Sequence, residues 1–362
     1  MPVPLGKGAD RPQPKEATVT ATTPAPRQPV MSDVARMAGV SHQTVSRVLN
    51  DTGPVREETR RRVLEAIDAL GYRRNPAARA LVTQRSGLLG VITPFGIHHG
   101  PVHTLLGVEE AARARGMSVV LCSLAEVRSG TMSAAMRHLA GQNVEGIVVV
   151  TSVTSVVGSL PVPEGLPVVV AQARPGGHLP SVSVDHELGA RLATRHLLEA
   201  GHRTVLHVRG PHDWPEGDRR VRGWEEALAE VGAPVEEPLL GDWSGDSGYQ
   251  AGQEVVRRWR ELPAGERPTA VFAANDLMAF GLMHALHEAG LRVPADVAVV
   301  GFDDVPGAAH SWPPLTTLRQ DFRELGRQCV HALLARLDGG QQIEPVDAIP
   351  PQLVVRCSSG AP

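Results

Sequence analysis

Gln43 and Arg47 stand one helical turn apart, as do His42 and Ser46, in the run Ser41-His42-Gln43-Thr44-Val45-Ser46-Arg47-Val48-Leu49-Asn50. Glutamine can hold adenine through two hydrogen bonds at its major-groove edge, and arginine can hold guanine in the same way. Val45, Val48 and Leu49 fall on the other face of the same expected helix, which leaves the four polar side chains pointing outward. Other chemistries find less support. Gly245-Asp246-Ser247-Gly248 echoes a serine-protease signature, but no His–Asp pair is placed to serve it. A strand-to-helix turn capped by Asp and Ser accounts for it better. His99/His103 and His284/His287 have helical metal spacing without a third ligand nearby in sequence, so surface histidines explain them. Neither GxGxxG nor a GxxxxGK loop followed by Ser or Thr occurs. No catalytic residue, resident metal or nucleotide cofactor is therefore expected.

The elements that must position Gln43 and Arg47 read as a helix, a tight turn and a second helix. Val34, Ala35, Ala38 and Val40 form a short apolar stripe cut by Gly39, and Ser41 stands where a helix N-cap would. Its hydroxyl can take an otherwise orphaned backbone N–H. Asp51-Thr52-Gly53-Pro54 breaks the chain. A third helix runs from about Arg56 to Leu70, with Val63, Leu64, Ile67 and Leu70 on one face and Gly71 as its stop. In such a hairpin the second helix is the one that enters a major groove. A helical hairpin with an ordinary polar surface is the alternative. Asn75-Pro76 then opens a very short helix over Ala77–Val82. It is too short to be helical alone in water and orders only against something else.

From Gly87 onward, strands and helices alternate. Apolar runs at Leu88–Ile92, Ser118–Cys122, Gly146–Val150, Pro167–Ala171, Thr204–Val208, Thr269–Ala273 and Val297–Gly301 read as buried strands. Helical stretches between them include Thr104–Arg115, Glu187–Ala200, Arg220–Val231, Tyr249–Trp259, Leu277–Ala289 and Phe322–Leu337. Continuous Val/Ile/Leu runs separated by helices mean parallel sheets covered on both faces. The length exceeds one comfortable sheet, so two α/β lobes with a cleft between them are expected. Ligands in such sheets bind beyond the C-terminal ends of the strands.

Composition sets the bounds on this reading. The chain has 362 residues, 42% hydrophobic and 21% charged, with net charge −3. The charge is uneven: residues 1–85 hold fourteen Lys and Arg against eight Asp and Glu, while the remainder is acidic. A small basic head on an acidic body suggests that the head meets a polyanion, although a solvated basic face would look the same. No apolar run is long enough to cross a bilayer, and the N-terminus carries no hydrophobic signal segment. Cys122, Cys329 and Cys357 lie far apart, which fits a reducing cytosol and excludes a disulfide scaffold. Integral membrane, secreted mini-protein and fibrous classes are thereby excluded. Residues 1–29, rich in Pro, Thr, Ala and Gln, are expected to be a disordered tail.

The motifs, taken in order, resemble the lactose-repressor/galactose-repressor (LacI/GalR) family of bacterial transcription regulators. In the head they are Asp33-Val34-Ala35, Ala38 to Asn50, Thr59-Arg60, Gly71-Tyr72, and Asn75-Pro76 with Leu81. In the body they are Gly107-Val108-Glu109, Val184-Asp185, Gly201-His202-Arg203, Gly223-Trp224, Ala274-Asn275-Asp276, Val300 to Asp304 and Pro314-Leu315-Thr316-Thr317. The likeness covers essentially all of residues 31–357. It implies an α/β fold: an N-terminal helix-turn-helix DNA-binding head (30–74), a hinge helix or linker (75–86), and two doubly wound parallel-sheet lobes of periplasmic-binding-protein-like (type I) architecture (87–362). The N-lobe would take about 87–183 plus 319–347, and the C-lobe about 184–318 plus 348–362.

Residue by residue, the resemblance assigns base reading to His42, Gln43 and Arg47, with Ser41, Thr44, Ser46 and Asn50 as further DNA-contacting positions. Asn75, Ala78 and Leu81 belong to the hinge, Leu81 being an apolar wedge for the minor groove of a bent operator. Val30 and Arg56 depart from the family's usual capping Thr and Ser. Arg220, Trp243, Asn275, Asp303 and Phe322 match effector-contacting positions. They make a sugar-binding set, in which Arg, Asn and Asp hold adjacent hydroxyls and aromatic rings offer flat apolar faces. His99 and Pro101 lie at the cleft mouth, and Trp214 is a second platform or a core residue; Trp224 belongs to the core. Gln172 stands where the family often has Asp, and Val150 where a member has a polar residue, so the N-terminal lobe wall is less polar. The reading is a cytoplasmic, nucleoid-associated homodimer with no membrane partner. It would repress sugar-utilisation genes and be released from a palindromic double-stranded operator by a galactoside or other oligosaccharide. A corepressor-type regulator, a sugar-binding protein of the uptake type and a sugar-processing enzyme are the alternatives.

Overall fold

The structure, a computed structural model, describes residues 29–73, 85–94, 99–151, 153–158, 160–172, 179–212, 214–339 and 348–360. All but the last residue of the expected tail lies outside them, as do the hinge positions Asn75, Ala78 and Leu81. The chain divides into two units, Met1–Ala78 and Arg79–Pro362.

The first unit contains α1 (Met31–Ala38), α2 (His42–Asn50) and α3 (Glu57–Leu70). Gly39, at φ 65°, turns the chain out of α1. Ser41 begins α2 by accepting the Thr44 N–H at 3.1 Å, as its capping position implied. Val34, Ala35 and Ala38 pack with Val45 and Val48 from α2 and with Val63 and Ala66 from α3. Leu64 does not join them. It is 48% exposed, because burial of Val63, Ala66, Ile67 and Leu70 at i, i+3, i+4 and i+7 turns the next position outward. Neither Val30 nor Arg56 caps its helix through its side chain. The Asp33 carboxylate accepts the Val30 N–H at 3.0 Å, so half of a capping box survives at α1.

In the second unit, β1 (Leu88–Pro94), β2 (Ser118–Leu124), β3 (Gly146–Val150), β4 (Val168–Ala171) and β5 (Ser181–Val182) form one sheet in the order β2-β1-β3-β4-β5. Every pairing in it is parallel. Between these strands run α4 (His99–Ala114), α5 (Ser129–Gly141) and the single turn α6 (Thr154–Val157). Alternate residues serve opposite faces. Leu89, Val91, Val148 and Val150 pack beneath α4 and a late helix, while Ile92, Ile147, Val149 and Val170 pack on Met132, Met136 and Leu139 of α5. With both faces buried, every position in β3 must be apolar or glycine, which explains the unbroken Gly146–Val150 run.

After α7 (His186–Glu199), a second parallel sheet follows in the order β7-β6-β8-β9: β6 (Leu206–Arg209), β7 (Leu239–Leu240), β8 (Ala270–Ala273) and β9 (Ala298–Val300). Its covering helices are α7, α8 (Pro215–Glu230), α9 (Gly245–Glu261) and α10 (Asp276–Glu288). Trp224 is fully buried there, with its indole N–H donated to the Val205 carbonyl at 2.8 Å. The chain then returns to the first sheet. β10 (Thr317–Arg319) precedes α11 (Phe322–Leu337), which packs on α4, and β11 (Gln352–Val354) pairs antiparallel with β10. Gly107 and Gly326 permit the α4–α11 approach: a Cβ on either would lie 2.2 Å from the other helix's backbone. The passages between the sheets run side by side, with Val184 bridging Ile349 and Asp303 bridging Arg319.

His207, on β6, lies in the core of the second sheet, stacked on Phe272 at 4.7 Å and beside Trp224 at 5.4 Å. Its Nδ1 donates to the Phe272 carbonyl at 2.9 Å, and burial drives its pKa down to about 3. In the unfolded chain it would titrate near 6.5, so the unfolded state binds the extra proton first, and stability is lost as pH falls from there toward 3. At pH 5 the loss from this one group is about 2 kcal/mol. Urea denaturation at pH 7.5 and pH 5.0 should therefore show His207→Leu losing about 2 kcal/mol less on acidification than the wild type. An equal loss in both would remove His207 from the acid response.

Candidate functional site

The C-terminal ends of the strands of both sheets converge on one cavity. Each side chain that lines it is delivered by the loop or helix that follows a strand, as expected for doubly wound sheets. His99 and Pro101 follow β1, Thr151 follows β3 and Gln172 follows β4. Trp214 and Arg220 follow β6, Trp243 follows β7, Asn275 follows β8 and Asp303 follows β9. Phe322 opens α11, after one of the passages between the sheets. All the effector positions expected from the sequence thus line one cavity. Thr151, His186, Glu216 and Gln320 line it too and were not anticipated.

Backbone strain concentrates here. Gln172 (φ 68°), Trp243 (φ 73°) and Asp303 (φ 116°) all occupy the positive-φ region that side-chain-bearing residues avoid. Trp243 is seated by a missing side chain, since a Cβ on Gly210 would fall 2.2 Å from its ring. Its carbonyl accepts the Asn275 amide N–H at 3.0 Å, and the Asn275 oxygen accepts the Met278 N–H at 2.8 Å as the cap of α10. One asparagine thereby fixes both a helix start and an aromatic wall.

Arg220 is 4% exposed, with its guanidinium 3.9 Å over the Phe302 ring and 5.4 Å from that of Trp243. It donates to the Ala274 carbonyl and lies 3.9 Å from the Asp303 carboxylate. Asp303 accepts the Gln320 amide at 2.6 Å. Burial pushes the Asp303 carboxyl up to about 6, against the pull of Arg220. Thr151 Oγ1, Trp243 Nε1 and Gln320 Oε1 are buried without a hydrogen-bond partner among the described residues. Buried polar atoms rarely stay unpaired, and all three belong to residues that line the cavity. Two edge-on aromatic pairs, Trp214–Trp243 at 6.0 Å and His99–Phe322 at 5.7 Å, supply apolar faces. Burial and the neighbouring His103 hold His99 below its usual pKa.

The other features singled out in the sequence resolve locally. Ser247 is bound within the turn that opens α9, accepting the Asp242 N–H at 3.0 Å and donating to the Ser244 carbonyl at 2.9 Å. Among the described residues, no three His, Cys, Asp or Glu side chains are grouped to hold a metal. No described helix is long and apolar enough to cross a membrane.

On α2, His42, Gln43 and Arg47 are exposed, while Val45 and Val48 are buried. The remaining positions are partly engaged within the helix. The Ser41 and Thr44 hydroxyls lie 2.9 Å apart in the cap, and Ser46 Oγ accepts the Asn50 amide at 3.1 Å. His42, Gln43 and Arg47 are thus exposed on α2 with no side-chain hydrogen bond within the helix among the described residues.

Comparison with known proteins agrees with both units. Residues 30–75 match the family described as bacterial regulatory proteins, lacI family, and residues 194–359 match a periplasmic binding protein-like domain. The lactose operon repressor of Escherichia coli (strain K12) is 35% identical over 338 residues, covering 91% of this chain and 90% of that protein. The crystal structure of the lac repressor dimer bound to operator and the anti-inducer ONPF has a TM-score of 0.82 at 32% identity, covering 92% of this chain and all of that one. A complex of the transcriptional regulator CelR with cellobiose has a TM-score of 0.67 at 32% identity, covering 91% of this chain and 99% of that one. This chain belongs to the lacI family of bacterial regulatory proteins.

Proposed function

We propose that the protein is a homodimeric repressor that binds a near-palindromic operator and releases it when a sugar occupies the cavity between its two sheets. The observation that carries this is the cavity itself. A paired Arg220 and Asp303, an oriented Asn275, unsatisfied hydrogen-bonding atoms and aromatic faces converge in one space. That combination suits a neutral polyol better than an ion or an apolar compound. The lac repressor structure it resembles holds operator and anti-inducer, and the CelR structure holds cellobiose. A galactoside or β-linked disaccharide is the effector class we assign.

In this reading the N-lobe comprises about 87–183 with 319–347, and the C-lobe about 184–318 with 348–362. A sugar bridging them favours a closed arrangement, and the linker over 75–86, with Leu81 as its wedge, loses its grip on the operator. The ligand shifts that equilibrium only by its differential affinity for the two arrangements. Two-fold symmetry of the operator requires a second copy. Action on DNA in a bacterium implies, in this reading, a cytoplasmic protein that works at the nucleoid.

The test is a mobility-shift assay on the DNA flanking its own gene, with cellobiose, lactose and related oligosaccharides as additions. The expected result is a complex of two chains per operator that one of these sugars dissolves. A complex that the sugars tighten would make the protein a corepressor-type regulator. Hydrolysis of the sugars would overturn the binding-only reading, and no preference for any duplex would overturn the whole.

A further inference from the structure

A chain of hydrogen bonds crosses the cavity from one sheet to the other. Arg220, on α8 of the second sheet, approaches His186 Nδ1 with Nε at 3.4 Å and Nη2 at 3.3 Å. His186 Nε2 lies 3.1 Å from Gln172 Oε1, and the same oxygen accepts the Val184 N–H at 3.0 Å. Gln172 follows β4 of the first sheet, and His186 opens α7 on one of the passages between the sheets.

The direction of every bond in this chain follows from chemistry alone. A guanidinium has no acceptor, so Nδ1 must present its lone pair to Arg220. A neutral imidazole with a bare Nδ1 carries its proton on Nε2. That proton requires an acceptor on Gln172. The backbone N–H of Val184 independently demands one at the same atom, so the atom is the carbonyl oxygen and not the amide nitrogen. Arg220 cannot swing away, because it is also held by the Ala274 carbonyl and stacked on Phe302. The ring is fully buried, and burial together with Arg220 and Arg219 keeps it neutral.

We propose that His186 is a positioning residue of this cavity: locked by Arg220 into its Nε2–H form, it pins the Gln172 carbonyl so that the Gln172 amide nitrogen, a donor, is what the first sheet offers the ligand. This rests on the sugar-binding reading of the cavity and names the polarity of one of its walls. A carboxylate at position 172 would only accept, and would select a hydroxyl that donates. An unpinned glutamine could turn either end toward the ligand. The pinned one demands an acceptor oxygen at that point of the sugar, whether or not the oxygen bears a hydrogen. No partner for the Gln172 amide nitrogen occurs among the described residues, which leaves it for the ligand.

Two measurements on the full-length protein decide this. The first needs no ligand. With ¹⁵N-labelled histidine, long-range ¹⁵N–¹H correlations of His186, assigned by its loss in His186→Phe, should show a protonated Nε2 and a bare Nδ1 at pH 7. A protonated Nδ1 overturns the proposal. The second uses cellobiose with its monodeoxy and monodeoxyfluoro analogues, read by calorimetry. Fluorine keeps some acceptor character and cannot donate. At one position the deoxy analogue should lose about tenfold in affinity while the fluoro analogue stays within about threefold of the parent. In Gln172→Glu the fluoro analogue should become as poor as the deoxy one, because a carboxylate needs the hydroxyl proton. In His186→Phe the distinction should narrow, because the Gln172 carbonyl keeps only the Val184 N–H of its two donors. Equal losses for both analogues at every position of the wild type, or an unchanged pattern in Gln172→Glu, would overturn the proposal while leaving sugar binding intact. If the wild type binds neither cellobiose nor lactose, the sugar reading fails, and the histidine tautomer alone then decides whether the relay exists.

Discussion

Arg220→Ala should yield a protein that still binds its operator and no longer responds to sugar. A hydrogen bond from a guanidinium to a sugar hydroxyl is worth about 1.5–3 kcal/mol, so its loss costs roughly 10- to 150-fold in sugar affinity. Several losses coincide at this residue. The Ala274 carbonyl loses its donor, His186 loses the group that fixes its tautomer, and Asp303 loses the cation facing it at 3.9 Å. Arg220→Lys should not rescue the response, since an ammonium can neither stack on Phe302 nor fork between Ala274 and His186. A pH signature separates this from general damage. In the wild type the Asp303 carboxyl titrates at about 6, so its carboxylate is present above that pH and lost below it. Sugar affinity should fall as pH drops through 6. Without Arg220, burial of Asp303 is opposed only by the Gln320 hydrogen bond, its pKa rises further, and the fall begins at higher pH. Operator release and calorimetric titration from pH 5 to 8 would read both effects, with a thermal melt as the check on folding. Release at wild-type sugar concentrations would remove Arg220 from the site.

The parallel sheets were legible in the sequence because burial on both faces writes an unbroken apolar run. Each expected strand occurs within a residue or two of its expected bounds, as at Gly146–Val150 and Ala270–Ala273. What escaped has physical reasons. β5 and β7 are two residues each, too short for any periodicity, and β10 and β11 pair across a long stretch of chain. The helix Ser129–Gly141 was missed although Met132, Ala135, Met136 and Leu139 sit at i, i+3, i+4 and i+7. Its other positions are mostly Ser, Gly and Ala, which dilute the amphipathic contrast. Leu64 was misplaced because an apolar residue beside a core position looks like part of it until the neighbouring helices fix the phase.

The site divides along the same line. The exposure of Gln43 and Arg47 could be read from spacing, since one helix carries them and its buried face defines the exposed one. The cavity residues could not. From His99 to Phe322 they are scattered through the chain and meet only because each follows a strand end. Resemblance located most of them. It missed His186 and Gln320, whose roles depend on hydrogen bonds to Gln172 and Asp303 that no sequence pattern records.

Arg47→Ala should abolish discrimination between operator and scrambled DNA while leaving the head folded. Arg47 is exposed on α2, and the packing of that helix rests on Val45 and Val48. Alanine is the better helix former, so stability should hold or rise slightly. A bidentate arginine–guanine contact is worth about 1–3 kcal/mol of discrimination. Two heads on a two-fold operator double this to about 2–6 kcal/mol, or roughly 30-fold to more than 10⁴-fold in the specificity ratio. Binding to scrambled duplex should change far less, because it depends on phosphate contacts distributed over the head. The salt dependence of binding therefore distinguishes the two roles. If Arg47 reads a base, the variant keeps nearly the wild-type slope against salt on scrambled DNA and loses only the operator preference. If it contacts phosphate, affinity drops about equally on every sequence and the slope falls by about one per head. Competition titrations of operator against scrambled duplex at several salt concentrations, with Gln43→Ala alongside, decide it, and an unchanged specificity ratio in both variants would move sequence reading off α2.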